Sequence, residues 1–214
     1  MQAIERIQLN DYWLTLVFIL VLLLLALLKS INQNKLSSYF KAFFLKGFVQ
    51  KRTEENESFF SLFNLMLFFL STIIYTLVIV VIGNKIAEFS FSLMLFIKTF
   101  GLTLLYLSTF FIVDKALIHL LELQHPLGNI FSAKISYLYN SALLLYPVLI
   151  INYYSQISYF LLFSIFVILF ILSALLIVLN NKNLIINKLF YFILYLCALE
   201  IAPLLIIYKI TVKI

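Results

Sequence analysis

Long uninterrupted apolar runs, separated by shorter stretches where the charged residues gather, set the rhythm of this 214-residue chain. A helix needs roughly 20 mostly apolar residues to cross about 30 Å of hydrocarbon. Six windows reach that scale, approximately Tyr12 to Leu28, Phe59 to Ile82, Phe91 to Val113, Ile135 to Tyr153, Ser158 to Asn180 and Leu189 to Tyr208. Strands of a membrane barrel would alternate apolar and polar residues over about ten positions, and these runs do not. The pattern predicts an all-α integral membrane protein with about six transmembrane helices, organised as a single polytopic membrane domain over residues 1–214. No internal repeat, low-complexity tract or soluble-domain boundary interrupts it.

The longest connection, Lys29 to Ser58, has a pattern of its own. Leu36, Tyr39, Phe40, Phe43, Phe44, Gly47 and Phe48 recur near helical spacing, while Lys35, Lys41 and Lys46 interrupt them. That pattern predicts a basic amphipathic helix over about residues 35–49. It lies in the membrane interface, apolar face down and lysines towards anionic head groups. Lys51 and Arg52 extend the basic strip, and Glu54, Glu55, Asn56 and Glu57 mark a solvated turn before the second span. A docking helix for a partner is the alternative reading.

Composition names the solvent. Apolar residues make up 64% of the chain and charged ones 11%, and the mean hydropathy is +1.12, so too few polar residues exist to cover a water-soluble surface. The formal charge of +6 serves orientation rather than nucleic-acid binding, since the lysines gather at helix ends and no basic soluble domain accompanies them. With the Lys29 to Ser58 connection in the cytoplasm, ten basic residues fall inside (Lys29, Lys35, Lys41, Lys46, Lys51, Arg52, Lys115, Lys134, Lys182, Lys188) and four outside (Arg6, Lys85, Lys209, Lys213). Lys98 is then the only basic residue within a span, near its outer end. Both termini are expected outside the cytoplasm, although Lys209 and Lys213 oppose that placement for the last helix. Glu5, Arg6 and Asp11 precede the first apolar run without a small-residue cleavage site after Leu28, so the first helix is read as retained. Tyr12, Trp13, Tyr153 and Tyr154 have the places of interfacial anchors on the outer side.

Candidate chemistry centres on Glu200, an acid in the middle of the last span. An ionised carboxylate is expensive near the bilayer centre, so Glu200 is expected to face protein or water and to be protonated or paired. Helical rise places Ser71, Thr72, Thr103, Tyr106 and Tyr146 at similar depth, making them its candidate partners. Two readings remain open: a neutral hydrogen-bonding staple between helices, or a proton, ion or substrate site. Pro203 lacks the N–H that would reach the Leu199 carbonyl, so a loosened turn is expected beside Glu200. Tyr137, Asn140, Leu144 and Pro147 form a stripe read as helix packing. Asp114, Lys115, His119, Glu122 and His125 are read as a solvated interfacial cluster rather than a metal site, because His119 and Glu122 supply half a ligand set and His125 precedes a helix-breaking Pro126. No cofactor or metal is expected. A lone Cys197 rules out an internal disulfide. No GxSxG motif, and no glycine-rich loop among Gly47, Gly83, Gly101 and Gly128, supports an enzyme.

The run Tyr195-Leu196-Cys197-Ala198-Leu199-Glu200-Ile201-Ala202-Pro203-Leu204-Leu205 resembles the C-terminal signature of a family of Bacteroidota inner-membrane proteins, domain of unknown function 4271. Lys51-Arg52-Thr53-Glu54 supports the resemblance, as does Leu127-Gly128-Asn129-Ile130-Phe131 followed by Tyr137, Asn140 and Pro147. It covers nearly the whole chain and implies the cytoplasmic membrane of a diderm bacterium, without implying a reaction. The expected function is that of a non-catalytic accessory or scaffold subunit of an envelope machine in protein export or envelope biogenesis. Its expected partners are membrane lipids and other inner-membrane proteins. A proton- or ion-coupled small-solute transporter using Glu200 is the alternative.

Overall fold

The structure, a computed structural model, describes residues 12–43, 61–87, 92–120, 124–155 and 158–180. Among these residues every regular element is a helix: α1 (Tyr12–Ile31), α2 (Gln33–Phe40), α3 (Leu62–Ala87), α4 (Leu93–Leu120), α5 (Gln124–Ser155) and α6 (Tyr159–Asn180). All but α2 are long and apolar enough to cross a membrane. Their places match the first five expected spans. The sixth, near Leu189 to Tyr208, lies outside the described residues, together with Glu200 and Pro203.

The starts of the helices follow from side chains that bind exposed main-chain N–H groups. Ser61 Oγ accepts from Asn64 N at 3.4 Å, Ser92 Oγ from Leu95 N at 3.2 Å, and Ser158 Oγ from Phe160 N at 3.3 Å. Each serine directly precedes its helix and satisfies one of the four N–H groups that have no partner within it. Asn32 does the same for α2: its backbone is extended (φ −156°, ψ 92°) and its Oδ1 accepts from Lys35 N at 3.0 Å. That extended residue separates α1 from α2.

α3 and α5 form the middle of the bundle. α3 packs against α1, α4, α5 and α6, while α5 packs against α2, α3, α4 and α6. Within their membrane-length windows, 50% of α3 and 67% of α5 is buried, against 22% for α1, 11% for α4 and 6% for α6. Leu67, Leu70, Ile74 and Leu77 of α3 meet Leu143, Leu145 and Leu149 of α5 and Leu14, Phe18 and Val21 of α1 in one continuous core. Leu102 and Ile112 of α4, and Phe160 and Phe170 of α6, point outward. Lipid tails are as apolar as leucine, so burial by itself gives membrane helices little reason to associate; close packing and polar contacts must hold them. That makes the buried polar side chains the informative ones.

Two sequence expectations change. The amphipathic helix expected over residues 35–49 starts earlier, at Gln33, and its helical part ends at Phe40, with turns at 41–43; residues 44–49 lie outside the described residues. Its buried face, Leu36 and Tyr39, is packed into the core with Phe63 and Tyr139 rather than left to lipid. The fourth span is longer than the expected Ile135 to Tyr153, because α5 begins at Gln124 with Pro126 in its first turn, where a proline costs no internal hydrogen bond. α5 also continues through Pro147 to Ser155.

Candidate functional site

The polar side chains inside the bundle form tiers along α5, and each tier joins that helix or its neighbour α3 to another element. The first tier is a charged pair. Asp114 of α4 is fully buried, and its Oδ2 lies 3.8 Å from Lys134 Nζ of α5. The Lys134 ammonium also sits 4.2 Å from the centre of the Phe110 ring. The window of α4 long and apolar enough to cross a membrane reaches Ala116 and that of α5 starts at Ile130, so both charges fall within these windows. A charge at such a depth is tolerable only when compensated, and here the carboxylate and an aromatic face share one ammonium group.

Sequence reasoning missed this pair. It placed Lys134 in a cytoplasmic connection and Asp114 in a solvated cluster, leaving Lys98 as the only basic residue within a span. Instead Lys98 is exposed on α4 while Lys134 is enclosed on α5. Hydropathy treats each charge as a cost, whereas two opposite charges brought together by a helical hairpin largely cancel. The signal that marks them is the presence of opposite charges on the two arms of a hairpin with a short connection.

The second tier seats α2. Asn140 Nδ2 donates to the Tyr39 carbonyl and, at 3.3 Å, to the Phe40 carbonyl at the end of α2. The Tyr39 ring is stacked on Phe63 and edge-on to Tyr139. Tyr137 stacks on Phe43 with ring centres 5.6 Å apart, and its hydroxyl accepts from Asn180 Nδ2 of α6 at 2.7 Å. Of the expected packing stripe, Tyr137 and Asn140 are therefore buried against α2 and α6, Leu144 is half-buried and Pro147 is exposed.

In the third tier, Tyr75 Oη of α3 lies 2.6 Å from Ser141 Oγ, and both hydroxyls reach the Leu138 carbonyl of α5, at 2.9 and 3.0 Å. On the other flank of α3, Thr76 Oγ1 is 2.6 Å from Thr103 Oγ1 of α4; one hydroxyl donates across this seam and the other donates within its own helix, Thr76 to the Thr72 carbonyl or Thr103 to that of Phe100. Higher on α5, the Tyr146 hydroxyl donates to the Phe18 carbonyl of α1 at 2.9 Å.

Of the residues that the sequence reading expects near Glu200, Ser71 and Thr72 are buried and donate to the Phe68 carbonyl of their own helix. Thr103 and Tyr146 bridge helices as above, whereas Tyr106 is 54% exposed and stacks on Phe110 along the outer side of α4. The structure thus distributes these positions over several seams. Of the expected basic strip, Lys35 is half-buried with its ammonium 4.7 Å from the centre of the Phe63 ring, and Lys41 is exposed. Lys46, Lys51 and Arg52 lie outside the described residues, as does Glu122; the side chains of His119 and His125 also lie outside the description.

The profile of a domain of unknown function (DUF4271) matches residues 14–211, nearly the whole chain. The chain belongs to the DUF4271 family. Every described helix thus falls almost entirely inside the DUF4271 region, α1 starting two residues before it. The Gly128 to Phe131 segment, Tyr137, Asn140 and Pro147, which carried part of the resemblance to DUF4271, all lie on α5. No curated protein and no solved structure matches the chain.

Proposed function

We propose that this DUF4271 chain is a non-catalytic accessory or scaffold subunit of a bacterial envelope complex, seated in the inner membrane with both termini periplasmic. Protein export or envelope biogenesis is the proposed setting, inferred from the phylum in which the family is found. The observation that supports the subunit reading is where the buried hydroxyl and amide groups go. Tyr75 with Ser141, Thr76 with Thr103, Tyr146 with Phe18, Asn140 with α2 and Tyr137 with Asn180 all engage one helix with another. Polar groups used this way hold a frame together. A second reading, a proton- or ion-coupled small-solute transporter, draws on Glu200 from the sequence and on the charged pair between α4 and α5.

Purification in mild detergent followed by mass spectrometry of bound proteins, with parallel solute flux assays in proteoliposomes, separates the two. A stoichiometric membrane partner and no flux is the expected result. A chain that purifies alone and moves a solute overturns the subunit reading.

A further inference from the structure

We propose, resting on the subunit reading, that the hairpin of α4 and α5 stands out of the membrane as a docking arm for an acidic segment of a water-soluble partner protein. α5 has 32 residues and α4 has 28, about 48 and 42 Å of helix, whereas α1 has 20 and α6 has 22, about 30 and 33 Å. The hydrocarbon is about 30 Å thick, so the two long helices overshoot it. Side-chain contacts show at which end. The last residue of α6, Asn180, bonds to the Tyr137 hydroxyl, and α2, which follows α1 directly, meets α5 at Tyr137 and Asn140. From Tyr137 to Ser155, α5 rises about 28 Å, close to one hydrocarbon thickness. Residues 124–136 are therefore surplus, and they continue for about 20 Å beyond the level where α1 and α6 stop. α4 goes with them: Phe111 packs on Phe131, and Asp114 meets Lys134 at the base of the hairpin.

Distance and charge choose the occupant. Head groups add only about 5–8 Å to each side of the hydrocarbon, so the far half of the arm lies in water rather than on lipid. Its end of the molecule is basic by count, because the ten basic residues assigned to the connections there meet five acidic ones, Glu54, Glu55, Glu57, Asp114 and Glu122. An excess of that kind attracts an acidic segment whatever local pairs the individual lysines make. Lys115 and Ala116 are exposed on α4, and a Cβ added at Gly128 of α5 would meet nothing within 4 Å. The arm thus keeps an open approach on both of its helices.

The test uses the full chain in nanodiscs of uncharged lipid, with Gly128→Cys, Ser37→Cys on exposed α2 or Leu102→Cys on the outer side of α4, each in a Cys197→Ser background. An impermeant maleimide is expected to label Gly128→Cys at least about tenfold faster than Leu102→Cys, whose thiol is held in its unreactive protonated form by lipid. Soluble polyglutamate, the probe for an acidic segment, is expected to slow labelling of Gly128→Cys on the order of tenfold at low salt. In about 1 M salt, which screens charges beyond about 3 Å, that protection is expected to vanish. Ser37→Cys is expected to be protected less, and a change to anionic lipid without polyglutamate is expected to leave Gly128→Cys as reactive as before. Slow labelling of Gly128→Cys, or protection of it by anionic lipid alone, puts the arm against the membrane and overturns the proposal. Absent protection by polyglutamate, or stronger protection at Ser37→Cys, removes the arm as the docking surface and is equally fatal. If Gly128→Cys does not accumulate, Ala116→Cys is read in its place for labelling and for polyglutamate protection. Failure of the subunit reading shows separately, as the lack of a stoichiometric partner on purification.

Discussion

Asn140, in the middle of α5, donates its side-chain amide to the main-chain carbonyls of Tyr39 and Phe40, about a hundred residues earlier in the chain. These carbonyls close α2, where the last turn of a helix leaves C=O groups without internal partners. One side chain thus fastens the connection between the first two spans to a central helix of the bundle. Asn140→Leu is expected to remove the side-chain donor from both carbonyls, at about 0.5–1.5 kcal/mol per bond lost, while the carbonyl of Tyr39 keeps the Ala42 N–H at 3.2 Å. Thermal unfolding in detergent checks the loss, and limited proteolysis after Lys41 checks its location; a variant as stable as wild type argues that α2 is held by packing alone.

Tyr39 and Phe40 are adjacent but have opposite roles, since Tyr39 is buried between Phe63 and Tyr139 while Phe40 is exposed. Tyr39→Ala is expected to cost about 3–5 kcal/mol, the range for deleting a buried aromatic side chain. Phe40→Ala is expected to change stability by less than about 0.5 kcal/mol, as for ordinary surface positions. Equal losses at the two positions are incompatible with this placement of α2.

Across the α3 and α4 seam, Thr76 and Thr103 bring their hydroxyls to 2.6 Å. A double-mutant cycle with Thr76→Val and Thr103→Val is expected to give a coupling near 0.6 kcal/mol and not above about 1.7 kcal/mol, the span measured for hydrogen bonds between membrane helices. Additive single losses place no bond between them.

The proposed orientation rests on the ten-to-four distribution of basic residues. A cysteine near Lys51 is expected to resist an impermeant thiol reagent applied outside spheroplasts, and one between α3 and α4 is expected to react, each in a Cys197→Ser background. The reverse labelling inverts the topology.

For Glu200, the neutral-staple reading expects Glu200→Gln to keep both abundance and cellular function, because the amide preserves size and hydrogen bonding. Glu200→Ala is expected to lower the amount of folded protein. Normal abundance of the Gln variant with loss of function instead assigns Glu200 a titrating role, since an amide cannot cycle between charge states.

The helices were legible along the chain because each one reads its solvent locally. An apolar run of sufficient length has to satisfy its own backbone in lipid, and a helix does so without reference to the rest of the fold. Ser61, Ser92 and Ser158 mark starts for the same local reason. The sequence by itself therefore determined five described helices, their order and the family. Which faces are covered was not local. α3, α4 and α6 are apolar all round, so composition cannot tell the central α3, half buried, from α6, which is 6% buried; only the packing of the other helices decides it. The same holds for charge and polarity. Asp114 and Lys134 were each read as solvated ends, and Asn140 as part of a packing stripe, because a side chain's partner across 20 or 100 residues leaves no periodic trace. The tertiary structure decided those pairings: it set α5 between α2 and α4, where a buried charge and a buried amide each find the group that makes burial affordable.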